Sequence, residues 1–342
     1  MQELLVNGAP FCYENAPKSG IEADLANFLA DWFSPADTIE LQTSGSTGTP
    51  KTIRVRKEYM RNSAEATCRF FGLHDGAKAL LCLPLRYIAG KMMVVRALVG
   101  KLNLITTEPT STPFTHTHGP IDFAALVPMQ AKTTLRQQNG RAQLAQARTI
   151  LLGGGFIEPL LEDELQTCQT DVYASYGMTE TLSHIALRKV NGTGRSPYYS
   201  PLAGVKIGIS ALGTLTISAP HIGVDYLETN DLAEIFPNDQ FRILGRIDSV
   251  INSGGIKIQA ESVEQALASV AGVQVLVVPI PHPILGQAVG LLWEGSPHKE
   301  KELQQAIDGL PKYHRPHLTR NVMLPRTATG KINRAEAAKL LK

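Results

Sequence analysis

Residues 43 to 51 read TSGSTGTPK, a run of hydroxyls, glycines and a lysine suited to holding phosphate oxygens. Gly45 and Gly48 let backbone N–H groups approach an anion, Ser44, Ser46, Thr47 and Thr49 add hydroxyl donors, and Lys51 adds positive charge. The spacing is not that of a P-loop, whose second glycine directly precedes a lysine that opens a helix. Here Thr49 and Pro50 separate Gly48 from Lys51. The flanks TIELQT and KTIRVR alternate apolar and polar residues, so the loop joins two strands. An ordinary polar hairpin loop has a similar composition, and the loop alone does not decide between these readings.

Four further stretches carry chemistry. SYGMTE, at 175–180, follows a strand pattern, which is where open α/β sheets place their ligands. It offers Ser175, the aromatic face of Tyr176, the bare backbone of Gly177, the hydroxyl of Thr179 and the carboxylate of Glu180. ETND (228–231), GRIDSVINSGGIKI (245–258) and PRTATGKINR (325–334) follow in that order. Singly, each has a plain structural reading: Tyr176 as core, Glu180 as a solvated charge, Thr-Gly-Lys as a surface turn. Their order along one chain is what is specific.

The elements that must position these residues alternate. AKALLCLPL (77–85) reads as a buried strand, GKMMVVRALVG (90–100) has helical spacing, and LNLIT is a strand again. ARTILLGGG (147–155) is a strand ending in Gly153, Gly154 and Gly155, followed by a helix in EPLLEDELQ with Pro159 in its first turn. DVYASYG is one more strand. This rhythm implies an α/β domain with a largely parallel sheet. From about 205 the texture changes to the short strands VKIGIS, GTLTIS and LAEIFP, then to a helix in AESVEQALASV and strands in VQVLVVPI and AVGLLW. The last hundred or so residues read as a small α+β unit. The boundary falls within 244–250, giving domains 1–245 and 246–342.

The 342 residues suffice for two domains, and 43% apolar with 19% charged residues is ordinary for a globular protein. A net charge of +2 gives no reason to expect a nucleic acid or an anionic membrane as partner. Cys12, Cys68, Cys82 and Cys168 form no CxxC pair, which fits a reduced, cytoplasmic protein with buried thiols. No signal peptide opens the sequence, and prolines break its most apolar stretch, 273–293, so no membrane helix is expected. There is no internal repeat.

Together the motifs resemble the adenylate-forming superfamily of acyl-CoA synthetases, luciferases and carrier-protein adenylation domains, from about residue 40 to the C-terminus. The resemblance implies a large N-terminal domain, a small mobile C-terminal domain and an active site between them. It implies ATP, Mg²⁺ and coenzyme A acting on a small carboxylic acid. Ser44, Ser46, Thr47 and Lys51, on the loop bent by Gly45 and Gly48, would contact the β- and γ-phosphates. Gly153 to Gly155, Tyr176 and Gly177 would enclose the adenine, Thr179 and Glu180 would hold the α-phosphate and Mg²⁺, and Asp231 and Arg246 would bind the ribose. Lys331 would reach the carboxylate and α-phosphate, Asp248 would be the hinge, and Gly254 and Gly255 would line the thiol's path. Cations placed around a centre where anion meets anion lower the barrier electrostatically.

Two departures stand out. Family members usually have a much longer stretch before the phosphate loop, and a dimer partner is one way to cover the face it leaves. In LPLRYIAGK (83–91), Tyr87 stands where the family usually has histidine, so the gate would not titrate near neutral pH. This stretch, with LVPMQ and TLSHIALR, most resembles ligases whose aromatic acid bears a second carboxylate. Lys91, one helical turn beyond Tyr87, is the first candidate to pair with it, with Arg86 and Arg188 as others and Ser175 also in the acid pocket. Competing readings are an adenylating enzyme for another aryl or acyl acid with CoA or a carrier protein as acceptor, a non-catalytic nucleotide-binding regulator, and a metal module on His116 and His118. Intact Glu180 and Lys331 speak against the second, and the want of further ligands against the third.

Overall fold

The computed structural model describes residues 4–42, 52–117, 119–270, 272–326 and 332–341. Its largest element is a nine-stranded sheet. Six neighbours are parallel, in the order Asp171–Gly177, Ala147–Leu152, Ile121–Leu126, Lys78–Leu81, Asn103–Thr106 and Leu5–Val6. Antiparallel strands His184–Lys189 and Ser200–Pro201 extend one edge, and Ala9–Pro10 the other. The central strands are apolar on both faces: Leu80, Leu81, Phe123, Ala124, Ile150 and Leu151 are all buried. The chain leaves Lys78–Leu81 for the strand on one side and then crosses to Ile121–Leu126 on the other. The carboxyl ends of these two strands therefore flank a topological switch point, where open sheets form ligand crevices.

Two helices on the same face show why apolar pattern matters. Lys57–Phe71 buries a stripe made by Met60, Ala64, Cys68 and Phe71, at three- and four-residue spacing. Ile88–Gly100 instead buries every residue from Met92 to Leu98, because it lies between the sheet and its neighbours. One of those buried residues is Arg96.

Beyond the main sheet, Lys206–Ile209, Thr214–Ala219, Val224–Ile235 and Phe241–Arg246 form a four-stranded antiparallel sheet. LAEIFP is not the separate short strand expected from sequence. It ends the twelve-residue strand Val224–Ile235, which also contains the ETND motif. Polar residues tolerate that position because ladders run on both sides and Thr229 Oγ1 donates to the Leu215 carbonyl at 2.9 Å. The strand read over 77–85 likewise stops at Leu81, and Pro84 instead supplies the carbonyl for a turn to the Tyr87 N–H at 3.2 Å.

A five-stranded sheet then begins at Val250, four residues after the previous sheet ends at Arg246. Its core joins Ile251, Val263, Leu267, Val289, Trp293 and Leu303, all from after that point. Among the described residues no helix is long and apolar enough to cross a membrane. Cys68 and Cys82 are buried and Cys168 is half-buried, but Cys12 is exposed, contrary to expectation, because it precedes a surface turn.

The turn into Ile88–Gly100 presses against the helix. A Cβ on Gly90 would lie 2.5 Å from the Pro84 oxygen and 2.8 Å from that of Leu83. Backbone atoms cannot swing aside as a side-chain tip does, so Gly90→Ala should cost about 1–3 kcal/mol. Thermal unfolding should show a lower Tm; an unchanged Tm would mean that the 83–87 turn shifts freely.

Candidate functional site

The carboxyl ends of three neighbouring parallel strands supply the first part of the site. Gly153 follows Ala147–Leu152 and donates its N–H to the Leu126 oxygen at 3.0 Å. Ser175, on the next strand, donates its hydroxyl to the Leu152 oxygen at 3.0 Å. That hydroxyl fills the place of a side chain on Gly153, whose Cβ would lie 2.6 Å from Ser175 Oγ. Ser175 thus packs on the glycine strand and helps shape its surface.

Tyr176 anchors the second part. Its ring packs edge-on against Phe241 with centroids 5.4 Å apart, and tilts against Tyr199 at 6.0 Å. Its hydroxyl donates to Asp231 Oδ2 at 2.6 Å. Burial and the adjacent Asp231 carboxylate both raise the Tyr176 pKa, so the phenol stays a donor. Arg246 Nη1 lies 3.4 Å from Asp231 Oδ1, and its Nε and Nη2 fork onto Asp248 at 2.9 and 2.7 Å. The hydrogen bonds that Arg246 donates to Asp248 hold that carboxyl below its usual range and raise the Arg246 pKa. Tyr176, Asp231, Arg246 and Asp248 are therefore one chain of contacts, made by residues that sequence reading assigned separately to adenine, ribose and hinge.

The segment after Tyr176 is bent tightly. A Cβ on Gly177 would lie 2.2 Å from the Ser183 oxygen, so the returning chain needs a glycine there. Thr181 Oγ1 accepts from the Met178 N–H at 2.9 Å, and the Ser183 N–H reaches back to the Thr181 oxygen at 2.7 Å. Buried Leu182 sits at φ 64°, ψ −40°, a strained conformation for a branched side chain. This bend leaves Thr179 half-buried and Glu180 exposed at the strand end. An exposed carboxylate beside a hydroxyl fits a Mg²⁺ that keeps most of its waters.

The expected acid-pocket residues divide. Tyr87 caps helix Ile88–Gly100, and the Lys91 N–H bonds its carbonyl at 3.2 Å, so the two lie one turn apart. Arg86 lies over the Tyr87 ring at 4.7 Å. The Lys91 ammonium, however, lies 5.0 Å from the Phe28 ring, on the side of helix Ile21–Phe33. Burial lowers its pKa, partly opposed by Asp31 and Asp24. Arg188 is engaged by Glu162 in a short ion pair, to which Arg195 adds a 3.8 Å contact.

Sequence reading missed Arg96. It is 2% exposed, and its Nη2 donates to Ser183 Oγ at 2.5 Å. Among the described residues its Nε has no partner and no carboxylate lies within ion-pair distance. Burial pulls its pKa down to about 10. Ser183 Oγ also lies 3.2 Å from His184 Nδ1, and Thr67 Oγ1 lies 3.3 Å from His184 Nε2. Burial, then Arg96, pushes the His184 pKa well below its usual value, so His184 is neutral and adds no second positive charge beside Arg96. The available signal was a single arginine inside the apolar run MMVVRALV.

In the small unit, Gly254 and Gly255 form the turn between Val250–Ser253 and Ile256–Gln259, at φ 58° and 88°. The phosphate-loop residues Ser44, Gly45, Ser46, Thr47, Gly48 and Lys51 lie outside the described residues, as do Lys331 and His118. Their flanks are placed: Thr38–Gln42 pairs antiparallel with Thr52–Arg56, and Arg326 bridges to Ile332. Among the described residues no three His, Cys, Asp or Glu side chains group as metal ligands.

Known proteins align with this arrangement. The AMP-binding enzyme family matches residues 13–211. A 2-succinylbenzoate–CoA ligase of Lactococcus lactis is 26% identical over 90% of this chain and 72% of its own length. An acyl-CoA synthetase (AMP-forming)/AMP-acid ligase II-like protein of Dyadobacter fermentans is 34% identical, with 96% of each chain covered and a TM-score of 0.65. O-succinylbenzoate coenzyme A synthetase of Bacillus subtilis, solved with ATP and magnesium, shares the fold, with a TM-score of 0.74 at 23% identity over 87% of this chain and 69% of that one. The family match spans more than half the chain and takes in the glycine strand, Tyr176 and Glu180, and this protein belongs to the AMP-binding enzyme family.

Proposed function

We propose that the protein is an ATP-dependent acid–CoA ligase that works through an acyl-adenylate, and that its acid is o-succinylbenzoate, as in menaquinone biosynthesis. The observation that carries the choice of acid is Arg96, a buried cation without a carboxylate partner among the described residues. Such a charge is costly unless something pairs with it. The second carboxylate of o-succinylbenzoate supplies that partner, while the first is activated. Arg96 replaces Lys91 as the favoured partner, since Lys91 already rests against Phe28. The succinylbenzoate ligase of Lactococcus lactis is the relative that supports this substrate.

The remaining residues take roles that their placement suits. The Gly153–Gly155 backbone and the Tyr176 ring flank the adenine. Asp231 keeps lone pairs for the ribose hydroxyls, with Arg246 holding its other side. Mg²⁺ on Glu180 would neutralise phosphate charge as the carboxylate attacks the α-phosphorus and pyrophosphate leaves. Lys331 supplies a cation to the same centre. In the second step the thiol of CoA attacks the acyl carbonyl and AMP leaves, and this step requires Lys331 to withdraw. Rotation at Asp248 would carry the lysine out and bring Gly254 and Gly255 to the thiol's path.

Arg96→Ala should raise the KM for o-succinylbenzoate on the order of a hundredfold, since truncating one partner of a buried charge pair costs a few kcal/mol. Benzoate, which lacks the second carboxylate, should react with variant and wild type alike, and Tm should hold or rise because an unpaired buried charge is gone. Equal losses on both acids would make Arg96 structural and return Lys91 to first place.

Glu180→Gln should weaken Mg²⁺-dependent pyrophosphate exchange while leaving thermal unfolding unchanged. Full exchange at ordinary Mg²⁺ would remove Glu180 from the metal site.

The two steps separate with a pair of variants. Asp248→Pro restricts the torsions of the hinge, so thioester formation should slow greatly and adenylation much less. Lys331→Ala should abolish adenylation yet keep thioester formation from supplied acyl-adenylate. Parallel losses of both half-reactions in both variants would refute alternation between two orientations.

A further inference from the structure

One polar contact joins the glycine strand's neighbourhood to the base of the segment that carries Lys331. Gln274 Nε2 donates to Glu158 Oε1 at 3.4 Å. The same amide accepts from Arg326 Nη2 through Oε1 at 2.6 Å. Each end is braced. Lys132 makes a short ion pair with the other oxygen of Glu158, and Arg326 also pairs with Glu294 at 3.1 Å. With its oxygen taken by Arg326, the Gln274 amide can present only its NH₂ edge to Glu158, so the network is consistent in every donor and acceptor.

The positions of these residues give the contact its meaning. Glu158 caps helix Pro159–Leu165, three residues after Gly155. Gln274 opens the strand Gln274–His282 of the small unit, and Arg326 stands five residues before Lys331, bridged to Ile332 on the far side of that segment. Of the four contacts, the Gln274–Glu158 bond alone crosses between residues before and after the hinge. The Lys132–Glu158 pair lies wholly before it, and the Arg326 contacts lie wholly after it. A rotation at Asp248 would break the crossing bond and leave both braces whole.

We infer that Gln274 and Glu158 form a latch that holds the small unit in its present orientation, with Arg326 beside the glycine strand's neighbourhood, and we assign that orientation to adenylation. Both are positioning residues, since neither touches the reacting atoms. The inference rests on the two-step reading above. A bond present in one orientation and absent from the other shifts the balance by its own free energy, whichever step is measured. Loss of the latch should therefore lower exchange while sparing or raising thioester formation, which loss of folding cannot do.

The test uses the full chain, measuring ATP–pyrophosphate exchange with o-succinylbenzoate and thioester formation from supplied acyl-adenylate and CoA. Gln274→Met keeps the length and removes both hydrogen bonds; exchange should fall about threefold, the scale of a half-exposed polar contact, while thioester formation holds or rises. Gln274→Glu still accepts from Arg326 but repels Glu158, so exchange should fall roughly tenfold with thioester formation again preserved. Adding Glu158→Gln to Gln274→Glu restores a donor facing an acceptor, and exchange should recover. Parallel loss of both half-reactions, no change in either, or failure of the double variant to recover would each overturn the latch. A wild-type protein that exchanges pyrophosphate but makes no thioester would instead refute the CoA reading, and the exchange measurements would still judge the latch.

Discussion

The hydrogen bond from Tyr176 to Asp231 is the polar tie between two sheets that also share a core, where the Tyr176 ring packs on Phe241. Tyr176 ends a strand of the main parallel sheet, while Asp231 lies within the long strand of the antiparallel sheet. Their 2.6 Å contact lies at the point where the adenine and ribose would sit on the proposed reading. Arg246 then joins Asp231 to Asp248, so the same carboxylate that orients the tyrosine also meets the arginine at the start of the hinge. A ribose bound at Asp231 would touch this chain in its middle. On the proposed roles, two ion pairs and one hydrogen bond would couple nucleotide occupancy to the hinge, without a separate signalling element.

The cations of the site follow two different physical solutions. Arg246 is half-buried between two carboxylates, and its charge is balanced within the fold. Arg96 is fully buried and balanced by nothing within the described residues, with neutral His184 beside it. A fold tolerates such a charge when the surrounding core is large, and Met92, Met93, Val95 and Leu98 of the same helix are all buried. The cost is borne in the free protein and is returned when an anion binds. On the proposed reading, charge left unpaired in the free state would act as stored affinity for an acidic ligand.

Much of this was legible in the sequence, for reasons that differ by residue. The strands ending at Leu152 and Gly177 could be read because they stop at glycine or turn residues, and the helix after Tyr87 because its apolar run is too long for one buried strand. The hairpin around the phosphate loop followed from alternation on both flanks. The strand through ETND was not legible, since its polar residues are held by ladder bonds on two sides rather than by a hydrophobic face. Arg96 escaped for the opposite reason: its neighbours are so uniformly apolar that the arginine read as an interruption in a core helix. Lys91 drew attention by its spacing from Tyr87, which is correct, but spacing fixes only the distance along a helix. Which neighbour a side chain meets depends on helix Ile21–Phe33, and no local pattern places that helix.

The same limit explains why the Gln274 network had no sequence signature. Glu158, Gln274 and Arg326 are separated by 116 and 52 residues, and each is an ordinary polar residue in its own segment. Motifs record residues whose chemistry cannot be replaced, such as a lysine at a phosphate. The residues that decide when that lysine is in place need only donate or accept a hydrogen bond at the right point on the surface. Several residue types can do this, so a pattern of types does not reveal them. Their assignment depends on geometry, and specifically on which contacts cross the hinge and which remain on one side of it.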